Sequence, residues 1–238
     1  MPNIQIFDTP ELLARAAAHF FVTLAQTATQ QHPFSVALSG GQTPRRVYEL
    51  LATDEFKDQI KWELVHIFFG DERPVAPDDA ASNYGMALTA LLSKVPIPDS
   101  HIHPMAGEGD LPANARKYES ELKSHFPGLS WPRFNLVLLG MGEDGHTASL
   151  FPGTAAVKEK TAWVVANWVA QLNAYRITLT APAINAAANI LFLVSGGKKA
   201  SRLKEVLSGP LEPEKLPAQL IKPSNGALTW MVDAGAAG

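Results

Sequence analysis

The chain contains no cysteine. That absence excludes disulfides, thiolate nucleophiles and cysteine-held zinc or iron–sulfur centres, and it fits a reducing compartment. Long hydrophobic runs are missing too. The most apolar stretches, such as NLVLLGMG (135–142), have the length of a strand and fall short of the ~18 residues of a membrane span. The opening MPNIQIFDTPELL lacks the basic-then-apolar layout of a secretory leader. A large excess of one charge is also absent, since 20 basic side chains face 23 acidic ones for a formal net charge of -3. No polyanion-binding surface is expected, although a few local cations suffice for a single phosphate. The expectation is a cytoplasmic chain with neither nucleic-acid nor membrane partners.

What is present is ordinary globular composition, with 46% hydrophobic and 18% charged residues. The 238 residues are enough for one sizeable core. No internal repeat or flexible linker divides them, so 1–238 is read as one domain. Strands are expected at 4–7, in the apolar runs that open FSVALSGGQTP (34–44) and LVHIFFGDERPV (64–75), and at 134–139, 163–169, 175–180 and 189–196, with a last one in ALTWMVD. The pair 163–169 and 175–180 is joined closely enough to pair. Helices are expected at about 11–28, after Pro44, at 82–94, 113–125, 181–188 and from Lys198 onward. Asp8 or Thr9 would cap the first. Leu13, Ala17, Phe20, Phe21, Leu24 and Ala28 give it an apolar stripe. Strands alternating with helices predict an α/β fold with a mostly parallel central sheet. Ligands in such folds bind beyond the carboxyl ends of the strands.

Four glycine-bearing segments fall at such ends: 39–44, 70–73, 140–146 and 195–199. SGGQTP opens a helix and can present amides to an anion. A plain tight turn explains it equally well. It lacks the terminal Lys-Ser/Thr of a nucleotide phosphate loop, and no GxGxxG occurs. GMGEDGH delivers two carboxylates and His146 into a bend. A histidine there can take a proton near neutral pH, and a neighbouring carboxylate can fix its tautomer. In GDERP, Asp71 and Glu72 point to opposite sides of an extended chain, so one of them faces a pocket. Lys198 and Lys199 stand at a helix start, a mildly unfavourable place for cations that a bound phosphate would relieve. No G-x-S-x-G elbow is present, and Ser149 is read as a helix hydroxyl. His101 and His103 form H-x-H in a loop near Glu108 and Asp110, with His66 on a strand. Without H-E-x-x-H or a cysteine ligand, no metal is expected.

GMGEDGHTASLFPG (140–153) resembles the signature of 6-phosphogluconolactonases, which are similar in fold to glucosamine-6-phosphate deaminases and ribose-5-phosphate isomerases. SGGQTP, FFGDERPV, SNYGMA, RITLT and GGKKA resemble further blocks of that family, in order, from about 34 to 205. The resemblance implies a modified Rossmann-like sheet and hydrolysis of 6-phosphoglucono-1,5-lactone in the oxidative pentose phosphate pathway. It implies no metal and no organic cofactor. The substrate would be a small phosphorylated sugar lactone, and the protein a monomer or small homo-oligomer. Carried over by motif, His146 is the general base and Asp71 orients water or substrate. Gly40, Gly41 and Thr43 lie near the substrate, and Arg73, Arg176 and Lys199 hold phosphate. Which of Asp71 and Asp144 assists His146 stays open, as does the choice between Lys198 and Lys199. The deaminase branch is the nearest rival, but its signature departs from TASLFPG. A sugar-phosphate sensor would keep the cations and lose the base.

Overall fold

A computed structural model describes residues 3–238. Local signals start the elements. β1 (Asn3–Phe7) is followed by Thr9, whose hydroxyl accepts the Leu12 amide at 3.2 Å and caps α1 (Pro10–Ala25). Pro10 occupies the first turn, where a missing N–H costs nothing. The buried stripe of α1 is Leu13, Ala14, Ala17, Ala18, Phe21, Val22 and Ala25. The helix ends at Ala25, three residues before the expected end.

β2 (Phe34–Leu38) is buried at every residue, as a central parallel strand must be. It runs through the SGG turn into α2 (Gln42–Leu51), which a single turn, α3 (Asp54–Lys57), follows. β3 (Val65–Phe69) leads into β4 (Asp71–Glu72), a two-residue strand with no counterpart in the sequence reading. α4 (Asn83–Ala90) is capped by Ser82 and stops early. Leu91 leaves helical geometry (φ -137°, ψ -61°), and a 3-10 turn at Leu92–Lys94 replaces the last expected turn. α5 (Leu111–His125) is capped by Asp110. β5 (Leu136–Leu139), β6 (Val164–Val169), β7 (Ala174–Leu179), α6 (Ala181–Asn185), β8 (Asn189–Val194), α7 (Ala200–Ser208), β9 (Ala227–Asp233) and α8 (Ala234–Ala237) complete the order. α6 is shorter than the expected 181–188.

Six strands form one sheet in the order β1-β9-β8-β5-β2-β3, and every neighbouring pair is parallel. The α/β, Rossmann-like fold with a parallel central sheet is therefore as expected. Alternate residues of β2 and β3 serve different layers. The Phe34 ring meets Phe21 of α1 edge-on at 5.3 Å. On the other face Phe68 meets His125 at 4.8 Å, at the end of α5. Helices thus cover both faces and the central strands are mostly apolar. A second, antiparallel sheet has the order β4-β7-β6. The 163–169 and 175–180 segments do pair with each other. Among the described residues no helix is long and apolar enough to cross a membrane.

The chain leaves the main sheet in opposite directions from β2 and β5, which lie side by side. Their carboxyl ends make the crevice where open α/β sheets bind ligands.

Candidate active site

A cavity of about 390 Å³ opens at that crevice. This size suits a small molecule. Its walls include all eight residues singled out from the sequence: Gly40, Gly41, Thr43, Asp71, Arg73, His146, Arg176 and Lys199. They come from the ends of β2, β5 and β8 and from the second sheet, so only the fold unites them.

The turn after β2 is held by a buried phenol. The Tyr48 hydroxyl of α2 donates to the Ser39 carbonyl at 2.8 Å and accepts the Ser39 amide at 3.0 Å. This satisfies both main-chain groups where the strand ladder stops. Gly41 then adopts φ +102°, a left-handed conformation that a side chain rarely tolerates.

The bend after β5 positions the histidine. Gly145 turns left-handed at φ +83°, and the Gly142 amide donates to the His146 carbonyl at 2.9 Å. The chain thereby folds back and sets Asp144 beside the imidazole. Asp144 Oδ1 lies 2.6 Å from His146 Nδ1 and accepts the His146 amide at 3.0 Å. Phe151 stacks on one face of the ring at 4.2 Å. The Asp144 carboxyl feels two opposed influences. Partial burial raises its pKa, but the His146 ring and nearby amides outweigh this and hold it below the usual carboxylate range. The carboxylate therefore accepts a hydrogen bond from Nδ1–H, which leaves the lone pair on Nε2.

Asp71 does not touch this pair. Its Oδ2 accepts from the Ser149 hydroxyl at 2.6 Å, and its Oδ1 lies 3.3 Å from Asn83 Nδ2. Of the two carboxylates left open by the sequence, Asp144 is the one bonded to His146. Ser149 is not in a helix, as the sequence reading had it. It lies in the turn after Ala148, a residue at φ +47°, where its amide donates to Thr178 Oγ1 at 3.1 Å. Glu72 points away from the cavity, as alternation requires. It is buried and accepts the amides of Arg73, Asn83 and Tyr84 at 2.7–2.8 Å. Burial raises its pKa while these amides pull it down, and burial prevails.

Glu72 thus fixes the first turn of α4 and aims Asn83 into the cavity. Asn83 is 2% exposed, and its Oδ1 has no hydrogen-bond partner among the described residues. SNYGMA marks this segment in the sequence, but nothing in the motif gives Asn83 a part. Its position depends on a cap made by a residue eleven places earlier, which no spacing rule reveals. Gly40 has to lack a side chain because a Cβ there would stand 1.7 Å from Asn83 Oδ1.

The cations gather without acidic partners. Arg73 follows β4 and Arg176 lies on the facing strand β7. Burial, then the neighbouring Arg73 charge, pushes the Arg176 guanidinium below its usual pKa, against the pull of Asp71 and Glu72. Lys199 is half-buried and also pushed down, by burial, against Glu143 and Asp233. Among the described residues none of the three forms an ion pair. Lys198 is exposed and lies outside the cavity, so the fold selects Lys199. Clustered, partly desolvated cations of this kind can hold an anion.

Residues 8–230 match the model of the family described as glucosamine-6-phosphate isomerases/6-phosphogluconolactonase. The chain belongs to this family. A 6-phosphogluconolactonase of Nostoc sp. is 40% identical over 234 residues, covering 96% of this chain and 94% of the relative. The solved 6-phosphogluconolactonase of Trypanosoma brucei superposes with a TM-score of 0.87 at 30% identity, over 100% of this chain and 98% of that one. A monomeric glucosamine-6-phosphate deaminase superposes with a TM-score of 0.82 at 23% identity over 99% and 98% of the two chains, which shows a shared fold alone. Within the family, the resemblance read from GMGEDGHTASLFPG points to the lactonase branch, and the Nostoc and Trypanosoma brucei relatives carry that name.

Proposed function

We propose that the chain hydrolyses 6-phosphoglucono-1,5-lactone to 6-phosphogluconate, with His146 activating the attacking water. The observation that carries this reading is the meeting, in one cavity, of an imidazole with a fixed tautomer and three unpaired cations. The phosphate binds to Arg73, Arg176 and Lys199, and this remote binding energy holds C1 near His146. Nε2 takes a proton from water as the oxygen attacks the C1 carbonyl. The imidazolium that forms is stabilised by Asp144. Amides of the glycine turn at 40–41 face the carbonyl oxygen as its charge grows. The intermediate collapses, the C1–ring oxygen bond breaks, and the imidazolium returns its proton to the departing oxygen. Asp71 and Asn83 hold the sugar hydroxyls or the water. Every step is proton transfer and addition–elimination, which these side chains perform unaided.

The test follows acid release from freshly prepared lactone, with the spontaneous rate subtracted, for the intact protein and His146→Ala. Rapid hydrolysis that disappears in the variant is expected. Rapid hydrolysis that survives removes His146 as base. A folded protein with no activity above background moves the reading to the deaminase branch, with glucosamine 6-phosphate tested next.

A further inference from the structure

A second cluster of titratable side chains lies at the opposite end of the sheet. His66 sits in the first half of β3, paired with Ser35 of β2, whereas the cavity lies beyond the far ends of these strands. His101 and His103 come from the loop that runs alongside β3, where the His103 amide donates to the Ile67 carbonyl at 2.8 Å. His125 is the last residue of α5. Four of the chain's 7 histidines thus converge from three segments that lie far apart in sequence.

We propose that His66, His103 and His125 form a binding site for one divalent transition-metal ion of zinc type, separate from the reaction centre. One ring nitrogen from each of the three lies within 4.8 Å of the others. His66 Nδ1 and His103 Nε2 are already 3.1 Å apart. Two imidazole nitrogens on one tetrahedral zinc stand about 3.3 Å apart, so side-chain adjustment on the order of 1 Å completes the set.

The supporting groups match what a metal site needs. Glu121 Oε1 lies 2.6 Å from His103 Nδ1 and accepts its proton. This fixes Nε2 as the lone-pair nitrogen and makes the carboxylate–histidine relay found behind zinc ligands. Phe68 stacks flat on the His103 ring at 4.2 Å and 5°, which sets the ring plane. His125 stands at the C-terminal end of a 15-residue helix, where the backbone favours a cation. The cluster is partly open, so an ion has a path in. His101 stacks on His66 at 4.0 Å, and its buried Nδ1 has no hydrogen-bond partner among the described residues.

Without the ion, the His66 Nδ1 proton bridges to His103 Nε2. The ion takes the place of that proton, and His66 carries its hydrogen on Nε2 instead. No electron or proton is lost in the exchange. A three-imidazole set prefers zinc, copper or nickel over magnesium or calcium, which seek oxygen ligands. Bound there, the ion ties β3, the 101–103 loop and the end of α5 together. Its role is structural, because the lactonase chemistry proposed above has no part in this end of the sheet.

The test uses the full chain, stripped with a chelator and titrated with zinc sulfate by calorimetry. Cobalt(II) absorption reports the ligand geometry, and thermal melts report the coupling to folding. One ion per chain is expected, with visible cobalt bands of tetrahedral type and a Tm that rises with zinc. His103→Gln and His125→Gln should abolish these signals, while His146→Ala retains them. Glu121→Gln leaves all three ligands in place and should weaken binding by about 10–100-fold, which keeps the test decisive if a ligand variant misfolds. A Kd weaker than about 1 mM would overturn the proposal. So would zinc binding that survives both ligand variants, or that vanishes in His146→Ala.

Discussion

Adding one methyl group at Gly142 tests how the imidazole is held. A Cβ at that position would stand 2.2 Å from His146 Nδ1, 2.3 Å from its Cε1 and 2.7 Å from Asp144 Oδ1. Ordinary contact begins near 3.4 Å. The ring must therefore retreat by about 1 Å, and a misplacement of that size costs about 100-fold in rate. This corresponds to about 2.7 kcal/mol of transition-state stabilisation. Phe151 at 4.2 Å blocks retreat on its side of the ring, so the Asp144 bond is the one that gives way. Gly142 is not among the residues of positive φ, so Gly142→Ala adds no backbone strain there. The cations proposed to hold phosphate stand on other elements, and KM should hardly change. Lactone hydrolysis is followed by acid release at several substrate concentrations, with spontaneous opening subtracted and a thermal melt run alongside. A folded Gly142→Ala protein with kcat within about threefold of the parent would refute the argument that this geometry sets the rate.

Asp144→Asn should lower kcat by about 10–100-fold, because the amide can still accept the Nδ1 proton but offers no charge to the imidazolium; steady-state kinetics read this directly. Arg176→Ala should raise KM about tenfold or more with a smaller change in kcat, and Lys198→Ala should change neither. Tyr48→Phe leaves the buried Ser39 amide and carbonyl without partners, and should cost about 1–3 kcal/mol in denaturant unfolding. Glu159 accepts the amides of Ala162, Thr161 and Lys160, with a hydroxyl bond from Thr161, and these hold its pKa at about 2 against an ordinary 4.5. A carboxyl depressed in the folded state stabilises above its unfolded pKa, and that contribution fades as the pH falls from about 4.5 to about 2. Partial exposure reduces the effect to roughly 1 kcal/mol, so Glu159→Gln should lose that much at pH 7 and flatten the acid limb of stability.

The main sheet was legible because each central strand is an apolar run that stops at a strand-end residue followed by glycine, as at Ser39–Gly40 and Gly140. The second sheet was legible only in β6 and β7. β4 escaped because it has two residues, both acidic, and its pairing is made by main-chain groups that leave no hydrophobic pattern. The cavity residues could be named from motifs, but their partners could not. Asp144 and Asp71 are equally plausible neighbours of His146 until Gly145 turns left-handed and folds Asp144 back by two residues. Asn83 was hidden because Glu72, not its own neighbours, aims it. The histidine cluster was half visible as H-x-H, yet the carboxylates near it in sequence are not the ones used. Glu121, a full segment away, is the residue that meets His103.

The division of the strands between two sheets also bears on how the protein can change. His146 and the glycine turns ride on the all-parallel body, where a shifted strand would disturb a core covered on both faces. Arg176 rides on the β6–β7 hairpin, whose turn at 170–173 carries exposed Leu172 on the rim of the cavity. Lengthening or rewriting that turn alters what fits above the cations and leaves the parallel body untouched. Tolerance of insertions should therefore be high at 170–173 and low at 140–146, and natural diversification of ligand choice has its easiest route through the hairpin.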